Sequence, residues 1–214
     1  MPSHAILLTV PNDDDQLQRI ERRLTAPEIV LIRMTSLWQG VDALRTRMAG
    51  APPLTELDIV GHGEPGGIAV GVPRPSGADG VERTPLLGTG VERQRELAQL
   101  LNAPPIVDEA TVLRILGCGV GLVRDGVGLP LHASGDGPLL ALSLRRRLGC
   151  RVQVAMQGLS AHDFGPHGLR DPRLLAEATC DLCCRLQPLD AQGQVPRPAG
   201  ETTTRLCAWC RQGQ

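Results

Sequence analysis

ATVLRILGCG, residues 110–119, is an apolar run that stops on a cysteine held between two glycines. Its length and its Val, Leu and Ile content suit a buried strand, and the glycines mark where the chain turns out of the core. ELDIVGHG (56–63) is built the same way and ends on His62 between Gly61 and Gly63. Working outward, HAILLTV (4–10), EIVLIRM (28–34) and CRVQVAM (150–156) read as further short strands. Amphipathic segments lie between them. QLQRIERRL follows the turn PNDDD, with Asp14 or Asp15 as its cap, and SLWQGVDALRTRMA (36–49) sets Leu37, Val41, Leu44 and Met48 at helical spacing. VERQRELAQLLN (91–102) is amphipathic, and PLLALSLRRRLG (138–149) is a helix ended by Gly149. Residues 63–90 carry many Gly and Pro around IAVGV, which predicts a hairpin or an ordered loop.

Short strands alternating with helices predict an α/β fold, with a mostly parallel central sheet between helical layers. In such sheets ligands gather beyond the carboxyl ends of the strands. Two of the predicted strands end in a chemically capable residue followed by glycine, His62-Gly63 and Cys118-Gly119.

The bulk composition narrows the field. A chain of 214 residues supplies one full-sized domain with a sizeable core. Its aromatic residues are Trp38, Phe164 and Trp209, so the core is aliphatic. A net charge of -1 leaves no electrostatic footprint for nucleic acid. There is no lysine; all 22 basic side chains are arginine. The opening MPSHAILLTVPNDDD lacks the basic stretch of a signal peptide, and its apolar run is too short for one. No window approaches the roughly 18 apolar residues of a membrane span. Seven cysteines in an unsecreted chain point to reduced thiols, metal or chemistry rather than a disulfide framework. The expectation is a cytoplasmic protein whose partners include neither nucleic acid nor a membrane.

A thiol attacks a carbonyl as its thiolate and needs a base, for which histidine is the usual partner. If the strands carrying His62 and Cys118 are neighbours, both side chains emerge at one rim, and the glycines let a substrate backbone approach. In its order of elements, LDIVGHGEPGGIAVG (57–71), VERQRELAQLL (91–101), TVLRILGCGVG (111–121), LLALSLRRRLG (139–149) and RVQVAMQGLSA (151–161), the chain resembles the caspase-like cysteine peptidases. The likeness is greatest to the self-processing protease domains of bacterial toxins and related bacterial caspase-like modules.

The resemblance implies a caspase-like three-layer sandwich over residues 1–165, with Cys118 as nucleophile and His62 as its acid/base partner. It makes the amides of Gly63 and Cys118 the candidate oxyanion donors, and a protein or peptide the substrate. Asp58, four residues before His62, is expected to point elsewhere. Two features depart from the family. The acidic-substrate machinery of caspases is not evident, and the lysine-rich polyphosphate pocket of the toxin branch has no lysine here. Arg145, Arg146 and Arg147 read more simply as a solvated helix end facing the negative pole of its dipole. Specificity residues are not ranked among Asp125, Asp136 and Asp163, and His132, His162 and His167 read as loop residues.

Two other readings compete. Cys118, Gly121 and Arg124 match the CxxGxxR spacing of cysteine-dependent phosphatases, in which loop amides and the arginine hold a phosphate. That loop should run into a helix, whereas DGVGLP follows Arg124, and His62-Gly63 is left unexplained. The other is an inactive caspase-like interaction module that uses its tail to bind a partner.

The tail, residues 166–214, is read as a Cys-rich extension. CDLCC (180–184) and CAWC (207–210) supply two CxxC pairs, and Cys180, Cys183, Cys207 and Cys210 can hold a structural zinc tetrahedrally, with Cys184 as a substitute for Cys183. The 23 residues between the pairs slightly exceed a common ribbon spacing. Residues 166–179 are expected to form a connection with a helical turn or more, and Cys150 to sit in the core. A chain with no evident sensor domain implies a regulatory or recruiting protein as a further partner.

Overall fold

Along strand β1 (His4–Thr9), Ala5 and Leu7 turn to one side and Ile6 and Leu8 to the other, and all four are fully buried. A strand covered on both faces is the mark of a parallel sheet between helical layers. The computed structural model shows that architecture; it describes residues 3–9, 14–71, 74–75, 82–83, 86–88, 91–102, 105–122, 137–179 and 186–196. After β1 come α1 (Asp15–Arg23), β2 (Ile29–Met34), α2 (Leu37–Arg47) and β3 (Glu56–Val60). Then follow α3 (Val91–Asn102), β4 (Val112–Leu116), α4 (Gly137–Leu148), β5 (Arg151–Ala155), β6 (Leu175–Ala178) and β7 (Leu186–Pro188).

The central sheet has seven strands in the order β7-β6-β5-β4-β3-β1-β2. Strands β2, β1, β3, β4 and β5 run parallel, and β6 and β7 are antiparallel additions. From β1 the chain steps to β2 on one side, then crosses back to β3 and continues to β4 and β5. Right-handed crossovers in opposite directions must place their helices on opposite faces. Accordingly α2, α3 and α4 cover one face with Leu44, Leu97 and Leu144, while α1 covers the other with Leu17 and Ile20. Phe164 and Leu175 complete that second layer.

Local chemistry sets the helix starts. Ser36 caps α2 by accepting from the Gln39 amide at 3.3 Å, and Asp14 caps α1 by accepting from the Leu17 amide at 3.0 Å. In the Gly- and Pro-rich region after β3 the described residues include short strands, in keeping with the expected hairpin. Gly63–Glu64, Gly67–Ala69 and Leu86–Leu87 form a small antiparallel sheet, and Arg74–Pro75 and Glu82–Arg83 form a separate antiparallel pair.

Beyond residue 165 the central sheet continues. Residues 166–179 contain the expected helical turn, a 3-10 turn at Pro172–Leu174, but Leu175–Ala178 is a strand paired with β5 and not a further helical turn. Its four residues are all buried, which favours a sheet position over a solvated helix. The zinc candidates Cys180, Cys183, Cys207 and Cys210, with Cys184, lie outside the described residues.

Candidate functional site

The register of β3 against β4 positions the two sequence candidates. Val60 pairs with Leu116, and His62 and Cys118 each follow two residues later. Gly61 bonds across the same gap through its amide to the Leu116 carbonyl, at 3.4 Å. Beyond it the two chains touch. A Cβ placed on Gly63 would lie 2.4 Å from the Gly117 carbonyl carbon and 2.5 Å from the Cys118 nitrogen, so a side chain there is excluded. The carboxyl ends of the two strands thus converge, with His62-Gly63 lying on Gly117-Cys118.

The Gly63 amide has a defined orientation. The His62 carbonyl accepts from the Ala69 amide at 2.7 Å, so at the next pair, Gly63 with Ile68, the Gly63 N–H turns away from its hairpin partner. The Cys118 nitrogen lies beside Gly63, which brings the two candidate oxyanion donors to one place.

Cys118 is half-buried, and its sulfur is held by one residue. Sγ donates to the Leu159 carbonyl and accepts from the Leu159 amide, both at 3.4 Å. The imidazole of His62 is more open, with 53 % of its side chain exposed, and its Nε2 bonds the Oδ2 of Asp14. Among the described residues no hydrogen bond joins His62 to Cys118 directly.

Asp14 is the site residue that the sequence reading took only as a helix cap. It follows β1, where the strand order reverses, and loops part at such a point to leave a crevice. Partial burial pushes its carboxyl up, but the Leu17 amide, the hydrogen bond and charge of His62 and the Gln16 amide outweigh that. The net effect holds Asp14 below the usual carboxylate range, so it faces the imidazole as an anion.

Asp58 points away from this rim, as the sequence reading expected. It is fully buried and takes two bonds of 2.6 Å from Arg114, through Nε to Oδ1 and NH2 to Oδ2. Glu56 lies 2.6 Å from the same guanidinium, and His4 Nε2 lies 3.1 Å from both Asp58 and Glu56. Burial pushes the Asp58 carboxyl up, yet the charge and hydrogen bonds of Arg114 and His4 hold it below the usual range. Glu56 moves the other way, raised by burial and by the charge of Asp58. His4, Glu56 and Asp58 have the donor atoms for a metal ion, all within 4.8 Å of one another. The guanidinium of Arg114 already supplies the positive charge there, so the set reads as an ion-pair network.

Other sequence candidates find plain roles. Cys150 is in the core, where burial pushes its thiol up to about 11. His162 contacts Arg23 at 3.3 Å, His167 pairs with Glu28 at 2.8 Å, and Asp163 accepts from the Ser160 amide at 2.7 Å. Arg124, Asp125, His132 and Asp136 lie outside the described residues. Among the described residues, the amides a phosphate loop would offer are engaged. Those of Gly119, Val120, Gly121 and Leu122 donate to the carbonyls of Gln157, Gly117, Ala155 and Gly119.

The arrangement sets a thiol, an imidazole backed by a carboxylate, and two adjacent amides at one rim of a parallel sheet. Comparison with known proteins found no match among family models, curated proteins or solved structures.

Proposed function

We propose that the chain is a caspase-like cysteine endopeptidase, with Cys118 as nucleophile and His62 as its base and acid. The observation that carries the reading is the contact of Gly63 with Gly117-Cys118, which sets the two residues side by side at the carboxyl rim. In the proposed reaction His62 takes the Sγ proton, and the thiolate adds to the scissile carbonyl carbon. The carbonyl electron pair moves onto oxygen, where the amides of Gly63 and Cys118 are the candidate donors. His62 then protonates the amide nitrogen, the C–N bond breaks and the amine leaves a thioester on Cys118. Water, giving a proton to His62, opens the thioester; the carboxylic acid departs and the proton returns to sulfur.

A second reading, the inactive interaction module, is favoured by one observation. The Cys118 sulfur bonds to Leu159 and not to His62. Bonds between such partners are often long without substrate and tighten on binding, so the enzyme reading is retained. We also propose a structural zinc on Cys180, Cys183, Cys207 and Cys210, carried by the two CxxC spacings, and a recruiting protein as partner in the cytoplasm.

Labelling with acyloxymethyl-ketone peptides bearing Arg, Lys, Leu or Asp at the reacting position tests the reading. Intact mass should show one adduct on the wild type, none on Cys118→Ala and slower labelling of His62→Ala. Folded wild-type protein that takes up none of the probes points to the interaction module instead.

A further inference from the structure

The carboxylate of Asp14 divides its two oxygens between two tasks. Oδ1 accepts from the Leu17 amide and closes the first turn of α1, while Oδ2 faces Nε2 of His62. The helix behind it is anchored by Leu17 and Ile20 in the core, so the carboxylate stands on a fixed support. Its side chain is only 13 % exposed, against 53 % for the imidazole it meets. An imidazole this open has little packing to hold its ring, and the Asp14 bond supplies the restraint. A carboxylate can only accept, so in the neutral ring this bond selects the tautomer with its proton on Nε2, which leaves the Nδ1 lone pair to receive a proton from elsewhere. The same turn of α1 reaches the other half of the site: Gln16 Nε2 donates to the Leu159 carbonyl at 2.9 Å, and Leu159 brackets the Cys118 sulfur.

We propose that Asp14 is a positioning residue that fixes the tautomer and rotation of His62, making the pair with Cys118 a three-member arrangement. The inference rests on the peptidase reading for its purpose, but its geometry stands apart from it. Among the described residues the hydrogen bond of the imidazole assigns this role to Asp14. Of the described titratable groups in the neighbouring stretches, Asp15 pairs with Arg19, His162 contacts Arg23, Asp163 accepts from Ser160 and Cys118 is held by Leu159, while Glu64 lies two residues along the hairpin from His62. A carboxylate that orients a catalytic histidine acts through that histidine, and replacing it by its amide allows the wrong tautomer without moving any backbone.

Asp14→Asn and Asp14→Ser provide the test, because asparagine and serine cap a helix about as well as aspartate. Both variants should stay folded, with the cap kept and only the Asp14–His62 bond lost. The ring nitrogens of His62, read by 15N NMR, should change from a single Nε2–H form to a mixture in both. Labelling of Cys118 by the ketone probes should slow about 10²-fold, the low end of what a misplaced general base removes. Wild-type labelling rates with the Nε2–H form retained in Asp14→Asn would overturn the proposal and leave the peptidase reading standing. A changed tautomer in a protein whose wild-type Cys118 takes no probe would support the positioning role and remove the peptidase.

Discussion

Replacing Gly63 with alanine tests the convergence of the two strand ends directly. The added methyl would lie 2.4 Å from the Gly117 carbonyl carbon and 2.5 Å from the Cys118 nitrogen. Non-bonded carbons rest at about 3.5 Å or more, so the two backbones must part by about 1 Å. Neither can yield easily. Gly61 is bonded to the Leu116 carbonyl on one side of the contact, and His62 is bonded to Ala69 on the other. Forcing a methyl into such a contact costs typically about 1–3 kcal/mol, offset by about 0.4–1 kcal/mol from a stiffer unfolded chain. A net loss of about 1 kcal/mol lowers the melting midpoint by roughly 2–4 °C in a protein of this size. Gly158→Ala is the control, since nothing lies within 4 Å of its added methyl and its φ is not positive. The assay is urea denaturation of both variants, followed by probe labelling of Cys118. A displacement of about 1 Å can cost about 10²-fold in a reaction that depends on placement, so labelling should fall far more than stability does. If Gly63→Ala unfolds and labels like Gly158→Ala, the strand ends do not meet as described and the site reading goes with them.

Arg114→Met should cost about 3–5 kcal/mol in urea, because it removes the guanidinium that neutralises the buried Asp58 and leaves only His4 beside it, and adding Asp58→Leu should recover most of that loss. A single-variant loss below about 1 kcal/mol would show that the pair is not desolvated as described. The same network sets the acid limb. Asp58 and Asp14 are held below their ordinary values, so their stabilisation is present above the unfolded carboxylate range and is lost as pH falls through the folded values. Glu56 is raised, has the opposite sign and subtracts as pH rises. Because Asp58 is fully buried, unfolding free energy should fall below about pH 4, and a curve without that fall would contradict the assignment. For the tail, metal analysis should find about one zinc per chain, lost in Cys207→Ser; a folded wild type that never retains zinc would dismiss the site.

The strands and helices around the site were legible because their patterns are local. Leu37, Val41, Leu44 and Met48 repeat at helical spacing and are buried together, and the apolar runs ending at His62 and Cys118 are neighbouring strands. Asp14 was visible only as a cap. Its second role depends on β1 and β3 being adjacent, a contact 48 residues apart that no local pattern encodes. Leu175–Ala178 shows the reverse difficulty: LLAEAT carries good helix formers, and pairing with β5 overrides that preference. Asp58 and Arg114 carry a signal in the sequence as well. Charged residues inside two apolar strands are seldom buried unless paired, and each is the most direct partner for the other.

That buried pair bears on the site although it sits at the far half of the strands. Asp58 and Arg114 are register partners on β3 and β4, and Val60 and Leu116 are paired one step further on the same face. A slip of one residue would turn every side chain of one strand to the other face, which the two apolar layers forbid. A slip of two keeps the faces and is the alternative the packing alone resists least. It would carry Cys118 about 7 Å past His62 and pull Arg114 off both oxygens of Asp58. The bidentate geometry therefore discriminates against the one misalignment that apolar packing tolerates, a registry role of the kind best attested for buried polar groups. The polar half of the strands and the carboxyl rim thus share one register.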